Sequence, residues 1–534
     1  MADAFNAITL QMLWTRLVSI ADEAAATLQR TSFSTIVRES NDFACVLTDS
    51  RGRSMAQATD SVPSFMGTMP RTIRHFLEEY PAETLEPGDI LITNDIWMGT
   101  GHLPDISVAK PVFLDGRLVG FAGSVAHSPD IGGKLRSADA KEVFEEGLQI
   151  PVMKVVRGGK VDPTFEKIIR KNVRVPDQVM GDLYAQFTCL HLMEERVLGL
   201  MREQGLTVLE PLADEIHARS EAAMRAAIRA LPDGTYDYTA VMDGVADPIE
   251  LKMKMTVAGD ELKIDFAGSA PQVLRGINVC MAYTISYTAF GVKAVLAPEI
   301  PNNDGVMRPV TIVAPEGCIL NSRPPAAGGA RALTGPFLPM MVISALAKAI
   351  PERVIATVGS PLWCLNLSGV NGEGRSYANL FFINGGYGAA HDRDGANVLS
   401  WPSNISSTPV EMIEQLAPVK VKYRRLRRGT GGAGRHRGGN GQEIFFQLTS
   451  PNPTMVSFLA ERTRVEAAPS GVAGGEAGAP GAVLIDGQPA DPKTQHVVRP
   501  GGTVELRTPG GGGYGPARER AAAAIDADRA DGYL

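Results

Sequence analysis

Apolar residues recur at helical spacing near the start of the chain: Ile8, Leu10, Leu13, Trp14, Leu17, Ile20 and Leu28. They predict one amphipathic helix of about seven turns, and Asp22 and Glu23 interrupt it in a way a signal peptide does not. The next segment, STIVRESNDFACVLTDSRGRSMAQ, alternates and ends in a turn at Asp49–Gly52, which suggests a hairpin. PGDILITND (Pro87–Asp95) reads as a short buried strand. From about Phe165 to Leu231 the period returns to 3.6, in DLYAQFTCLHLMEERVLGLMREQG and LADEIHARSEAAMRAAIRAL, and Pro232–Gly234 breaks the second helix. DGTYDYTAVMDG through ELKIDFAGSA alternates like antiparallel strands. Helical patterns follow at about Asn278–Ala297 and in PFLPMMVISALAKAI near 336–350.

The last quarter changes character. Glycine clusters at Gly429–Gly441, Gly471–Gly481 and Gly510–Gly515 separate short alternating runs, as in an all-β piece with tight turns. PARERAAAAIDADRAD (516–531) reads as a solvated terminal helix. No fixed-period repeat is present. The pattern as a whole predicts a multi-domain α+β chain of mixed helices and antiparallel sheets with a mainly β C-terminal part. Its expected divisions are an N-terminal α+β region (1–160), a helical segment (161–235), a mixed α/β region (236–400), a glycine-rich β domain (401–515) and the terminal helix (516–534).

Composition narrows the setting. A chain of 534 residues is too long for one core. Its 44% hydrophobic and 21% charged content are those of a soluble globular protein. A net charge of −7 gives no general pull toward nucleic acid or anionic lipid, so neither is expected as a partner. No apolar run reaches the roughly 18–20 residues a membrane span needs. Cys45, Cys189, Cys280, Cys318 and Cys364 are scattered without a CxxC pair, which fits a reducing cytoplasm.

The chemistry concentrates between Thr100 and His127, TGHLPDISVAKPVFLDGRLVGFAGSVAH. Ile106–Phe113 and Leu118–Ala126 are β-like, and Asp115–Gly116 between them is a strong hairpin signal. Reversal there makes paired positions sum to about 231, so Asp105 faces Ala126 with His127 one residue away. His102 lies three residues before Asp105. Two imidazoles and a carboxylate at one ladder end are the ligand set of a divalent metal site with open positions. A register shift of one residue points the side chains apart, and the alternative is an exposed hairpin end with two unrelated histidines.

These residues resemble the hydantoinase B/oxoprolinase family. The stretch TNDIWMGTGHLPDISVAKPVFLDGRLVGFAGSVAHSPDIGG carries the likeness. STIVRESNDFACVLTDSRGR precedes it, and VFEEGLQIP, LRGINV, IPNNDGVMRPV, GGYGAAHDRDGAN, GTGGAGRHRGGNG and TPGGGGYG follow in the family's order. The resemblance implies that His102, Asp105 and His127 bind one zinc or manganese ion, with Asp42 as a fourth ligand; all four are then the catalytic residues. By itself Asp42 reads as a turn- or helix-capping aspartate. The chain departs from the family at His127–Ser128, where many relatives have two histidines, at Ile96 in place of proline, and at Gly101, where threonine is frequent.

The resemblance further implies a hetero-oligomer of (AB)2 type, in which a hydantoinase A-type partner holds ATP and Mg and phosphorylates the substrate. This chain then opens the ring of a hydantoin, lactam or 5-oxoproline-like cyclic amide, a resonance-stabilised bond that phosphorylation of the carbonyl oxygen activates. Metal binding lowers the pKa of water from 15.7 to about 7 in favourable zinc sites. The alternative on the same ligands is an ATP-dependent carboxylase of acetone or acetophenone type, and a third reading is a non-enzymatic scaffold. RRGTGGAGRHRGGNG matches neither a Walker A loop nor a dinucleotide motif and reads first as a structural turn cluster, second as a phosphate or subunit contact. Cys318 reads as a buried structural thiol, since no histidine is near it. His391 lies in a polar glycine-rich loop, and Ser128 has no assigned role.

Overall fold

The computed structural model describes residues 5–134, 136–359 and 362–534. Among these the chain is a multi-domain α+β protein with ten α-helices and four mostly antiparallel sheets. Helix α1 (Ala7–Thr31) is capped by Asn6, whose side chain accepts from Thr9 N–H at 2.8 Å. Leu10, Leu13, Leu17, Ala21, Ala24 and Leu28 form its buried face, whereas Ile8, which the spacing counts in the apolar stripe, is 84% exposed. The alternating stretch that follows divides in two. Ser34 caps a single helical turn, α2 (Thr35–Arg38), and only then do β1 (Phe43–Asp49) and β2 (Ser54–Gln57) pair as a hairpin.

With β3 (Ile90–Thr93), β4 (Asp105–Leu114), β5 (Arg117–His127), β6 (Met153–Arg157) and β7 (Lys160–Val161), these strands form an antiparallel sheet in the order β2-β1-β5-β4-β3-β6-β7. Its central strands are buried along nearly their whole length, because helices cover both faces. Cys45, Leu47, Val108, Val112 and Ala122 enter one core with α1. The helices α3 (Pro63–Glu79), α4 (Pro163–Asn172), α5 (Pro176–Glu203) and α6 (Glu210–Arg229) surround the sheet. Of these, α5 packs with α1, and α3 meets Ala44, Val46, Ala109, Phe121 and Val125 on the opposite face. Alternate residues of one strand thus serve two cores.

A second sheet, in the order β11-β10-β9-β8, holds β8 (Gly234–Met242), β9 (Ile249–Ala258), β10 (Glu261–Asp265) and β11 (Val310–Val313), the last pair parallel. Met253, Met255 and Val257 join it to α7 (Met281–Leu296) and α8 (Phe337–Leu346) in the same core as α3. The C-terminal part packs two sheets face to face. Trp363, Leu365, Leu367 and Phe381 of one meet Ile444, Phe446, Val504 and Leu506 of the other. The glycine clusters run against one another beside this core: Gly432 N–H donates to Gly511 O at 2.8 Å, and Gly511 N–H to Gly439 O at 2.9 Å. A Cβ on Gly439 would lie 1.8 Å from Ala396 O, so close backbone approach requires glycine there.

Two short helices, α9 (Val410–Leu416) and α10 (Ala522–Ala530), complete the chain. The solvated helix expected over 516–531 is therefore shorter. Its Asp528 is buried, paired with Arg437 at 2.8 Å and Arg520 at 2.6 Å, and these ion pairs hold the end of the chain against the glycine loops. Among the described residues no helix is long and apolar enough to cross a membrane.

Candidate metal centre

The hairpin turns where the dipeptide indicates. Asp115 and Gly116 have φ of 49° and 77°, the left-handed pair that a two-residue hairpin turn needs. Next to the turn the register is Leu114↔Arg117 and Phe113↔Leu118, the expected sum of 231. Val119 is then an extra residue, a bulge that moves all further pairs to 232, beginning at Val112↔Gly120. Asp105 therefore faces His127 directly, not Ala126 as the plain count predicts, and the two side chains share a face.

A third strand ends at the same place. The β1–β5 register pairs Phe43 with Ala126, which brings Asp42 beside His127. His127 N–H donates to the Asp42 carbonyl at 3.0 Å, and Asn41 turns into β1 at φ 59°. His102 enters from the loop before β4, where Gly101 adopts φ 93°. A Cβ on Gly101 would come 2.9 Å from Arg331 Cδ and 3.2 Å from Cys280 Sγ, so both the backbone and the packing favour glycine here.

His102, Asp105 and His127 are all buried, and each offers one donor atom within 4.8 Å of the others. Asp105 Oδ1 is the hub: His102 Nε2 lies 2.7 Å and His127 Nδ1 2.9 Å from it. Asp42 Oδ2 stands farther out, 3.8 Å from His127 Nδ1. Thr100 Oγ1 donates to Asp105 Oδ2 at 2.5 Å, and Arg331 Nη2 pairs with the same oxygen. Burial opposes ionisation of Asp105, but the Arg331 guanidinium and the hydrogen bond from His127 outweigh it and hold the carboxyl well below the usual range. Burial, reinforced by Arg331, pushes His102 well below its usual value and keeps it neutral. Burial raises the Asp42 carboxyl to about 6 against the pull of His127.

The donor set fits a divalent cation. His102 Nδ1 hydrogen-bonds Gly329 O at 3.3 Å, which places the ring proton on that nitrogen and the lone pair on Nε2. Nε2 is buried and has no hydrogen-bond partner; the nearby Asp105 Oδ1 lies off the line a hydrogen bond needs. A lone pair facing a carboxylate oxygen calls for a cation between them, and two imidazoles with one or two carboxylates suit zinc or manganese alike. Zn–N and Zn–O distances of about 2.0–2.2 Å are compatible with small side-chain movements here.

Several neighbours have no signal in the sequence. The Arg331 guanidinium stacks 3.8 Å over the Tyr283 ring, and Tyr283 packs edge-on against Tyr287 at 4.8 Å. Arg136 Nε donates to Gly329 O at 3.1 Å. Gly329 N–H in turn donates to Glu146 Oε1 at 2.5 Å, while Glu146 Oε2 is buried without a hydrogen-bond partner. Burial pushes this carboxyl up to about 7. Glu146, His127 and Arg136 line one cavity together with Ile131 and Leu380. VFEEGLQIP, which contains Glu146, carries the family likeness without pointing to this role. Ser128 Oγ donates to Asp130 O at 2.9 Å. His391 is exposed near Asp392, outside this cavity, and Cys318 is buried with its thiol pushed up by burial.

A family model described as hydantoinase B/oxoprolinase matches residues 6–517. The chain is 31% identical to the B component of a candidate D-/L-hydantoinase of Pseudomonas sp. (strain NS671), covering 99% of this chain and 93% of that one. It is 30% identical to 5-oxoprolinase 1 of Arabidopsis thaliana, over 96% of this chain and 42% of that protein. The crystal structure of the ATP-dependent caprolactamase from Pseudomonas jessenii superposes with a TM-score of 0.91 at 27% identity, covering 99% of this chain and 95% of that one. A nucleotide-free acetone carboxylase shares the fold, with a TM-score of 0.90 at 20% identity over 98% of this chain and 78% of that one. A single family model spanning nearly the whole chain and relatives matched from end to end make this chain a member of the hydantoinase B/oxoprolinase family.

Proposed function

We propose that this chain is the metal-bearing subunit of an ATP-dependent cyclic amide hydrolase, with His102, Asp105, His127 and Asp42 holding one zinc or manganese ion. The observation that carries this reading is the orphaned His102 Nε2 facing Asp105 Oδ1 at 2.7 Å, in a family whose relatives include hydantoinase, oxoprolinase and caprolactamase chains. An ion held there supplies Lewis acidity, drawing electron density from an oxygen of the substrate or of water.

The chain's own residues prepare the rest. Gly329 O fixes the His102 tautomer, Thr100 and Arg331 hold Asp105 in place, and the low-dielectric surroundings strengthen these contacts. Glu146 lines the cavity that His127 also lines and, with its carboxyl near 7, can hold or release a proton on a ring nitrogen at neutral pH. Arg136 in the same cavity offers a guanidinium to a phosphorylated carbonyl oxygen. ATP and Mg are assigned to a hydantoinase A-type partner, in an (AB)2 assembly. The hydantoinase and caprolactamase relatives are themselves named as single subunits of their enzymes, which supports a partner here. Five free cysteines support a reducing, cytoplasmic setting.

The test is ATP consumption by the chain co-purified with its A-type partner. ADP release with hydantoins, lactams or 5-oxoproline, accompanied by ring opening, is expected. ADP release only with a ketone and bicarbonate would replace this reading with the carboxylase one, and neither response would remove both.

A further inference from the structure

Helices α3 and α7 cross closely, since a Cβ on Gly67 would meet Ser286 Oγ at 2.5 Å. Their two sides serve different spaces. Ser64, Tyr283 and Tyr287 face the metal centre, while Gly67, Arg71 and Arg74 on α3 and Ser286, Phe290 and Lys293 on α7 line a cavity of about 640 Å³ on the other side. These residues follow the i, i+4, i+7 spacing of one helix face. The volume lies within the roughly 300–1,000 Å³ of small-molecule sites.

Five cations line this cavity: Arg53, Arg71, Arg74, Lys293 and Arg308. Three of them are committed. Arg53 pairs with Asp49 and Asp214 at 2.6 Å, Arg74 with Asp304 at 3.0 Å, and Arg308 with Glu221 at 3.2 Å. Arg71 is half-buried and makes no hydrogen bond or ion pair with another described residue. Lys293 is also half-buried, and its only hydrogen bond among the described residues is a long one, 3.5 Å, to Pro298 O. Two partly buried cations without an ion pair of their own on one cavity wall, beyond the more distant pull of Asp304 on Arg71 and Glu299 on Lys293, are costly unless an anion joins them. A guanidinium and an ammonium together match the charge and terminal oxygens of a phosphate dianion, and Phe290, Met307 and Ile312 give an apolar wall for an organic group.

We infer that the cavity between α3 and α7 is a binding site for a small phosphate-bearing ligand, separate from the metal centre. The inference does not depend on the hydrolase reading. It is tested by calorimetric titration of the full chain with inorganic phosphate, AMP and acetate. Saturable binding of phosphate or AMP is expected, weakened at least about tenfold by Arg71→Gln and by Lys293→Gln, the effect of losing one charge-assisted hydrogen bond, and unchanged in His102→Ala. Tighter binding of AMP marks an organic phosphate, and equal or tighter binding of inorganic phosphate marks the free ion. Arg71→Lys, which keeps the charge, covers the case in which Arg71→Gln does not fold. Absence of binding by the wild-type chain, binding indifferent to both charge removals, loss of binding in His102→Ala, or acetate binding as well as phosphate would each overturn the site.

Discussion

Asp105 and His127 are direct cross-strand partners, and Asp105 Oδ1 lies 2.9 Å from His127 Nδ1. The same oxygen is 2.7 Å from His102 Nε2. One carboxylate oxygen therefore ties the donors together, which makes Asp105 the residue on which the centre most depends. Asp105→Asn keeps the shape and removes the charge. Metal content measured by elemental analysis should fall from about one ion per chain, with affinity reduced by more than the roughly 10–100-fold typical of losing an outer partner. His102→Ala should do the same. A chain with unchanged metal content after either substitution would remove the assignment.

Arg331 is buried against the other oxygen of that carboxylate and stacked on Tyr283. Arg331→Met leaves the Asp105 charge without its cation in the interior, at a cost of about 3–5 kcal/mol. A bound metal should recover part of this, so the loss of stability in urea should be larger with a chelator than without. Arg331→Lys should restore little, because an ammonium cannot stack on the ring and reach the carboxylate as a planar fork does. Equal losses with and without chelator would separate Arg331 from the metal site.

The turn between β4 and β5 was legible because Asp115–Gly116 carries its conformation in its residue types. The pairing at the far end was not, because the bulge residue Val119 looks like any other strand valine. Asp42 arrives through the β1–β5 register, a long-range pairing that spacing within one segment does not encode; only the family resemblance pointed to it. Arg331 opens a short 3-10 turn far along the chain from the hairpin, Glu146 follows the 3-10 turn Val143–Glu145, and no periodicity marks either. The helical turn α2 was hidden because one capping hydroxyl, Ser34, outweighs an alternating pattern. The two-core sheet was readable only as runs of apolar residues, since burial on both faces erases alternation.

Glu146 should give the metal-free chain a pH-dependent stability. Burial raises its folded-state carboxyl from an ordinary 4.5 to about 7. The folded chain thus binds this proton more tightly than the unfolded chain, so its contribution is fully present below the ordinary value and lost as pH rises through about 7. Wild-type stability should therefore decline from pH 5 to pH 8 more steeply than that of Glu146→Gln, which carries no titrating group. Parallel denaturation curves for the two chains across that window would show that Glu146 does not titrate there.

Two glycine-to-alanine changes should differ sharply for a geometric reason. Gly116 has a positive φ, but nothing lies within 4 Å of the position its Cβ would take. Gly116→Ala then suffers only the backbone term, about 1 kcal/mol, and should keep its metal, because the register at Asp105 and His127 is also held by β1. Gly439 sits among the interleaved glycine segments, where a Cβ would lie 1.8 Å from a backbone oxygen that no rotamer change can move. Gly439→Ala must push those segments apart and uncouple the hydrogen bonds between Gly439, Tyr387 and Gly511. Limited proteolysis should cut the C-terminal β part of this variant while leaving the Gly116→Ala chain intact. Equal protease resistance of the two would mean that the glycine clusters tolerate side chains and do not depend on close backbone contact.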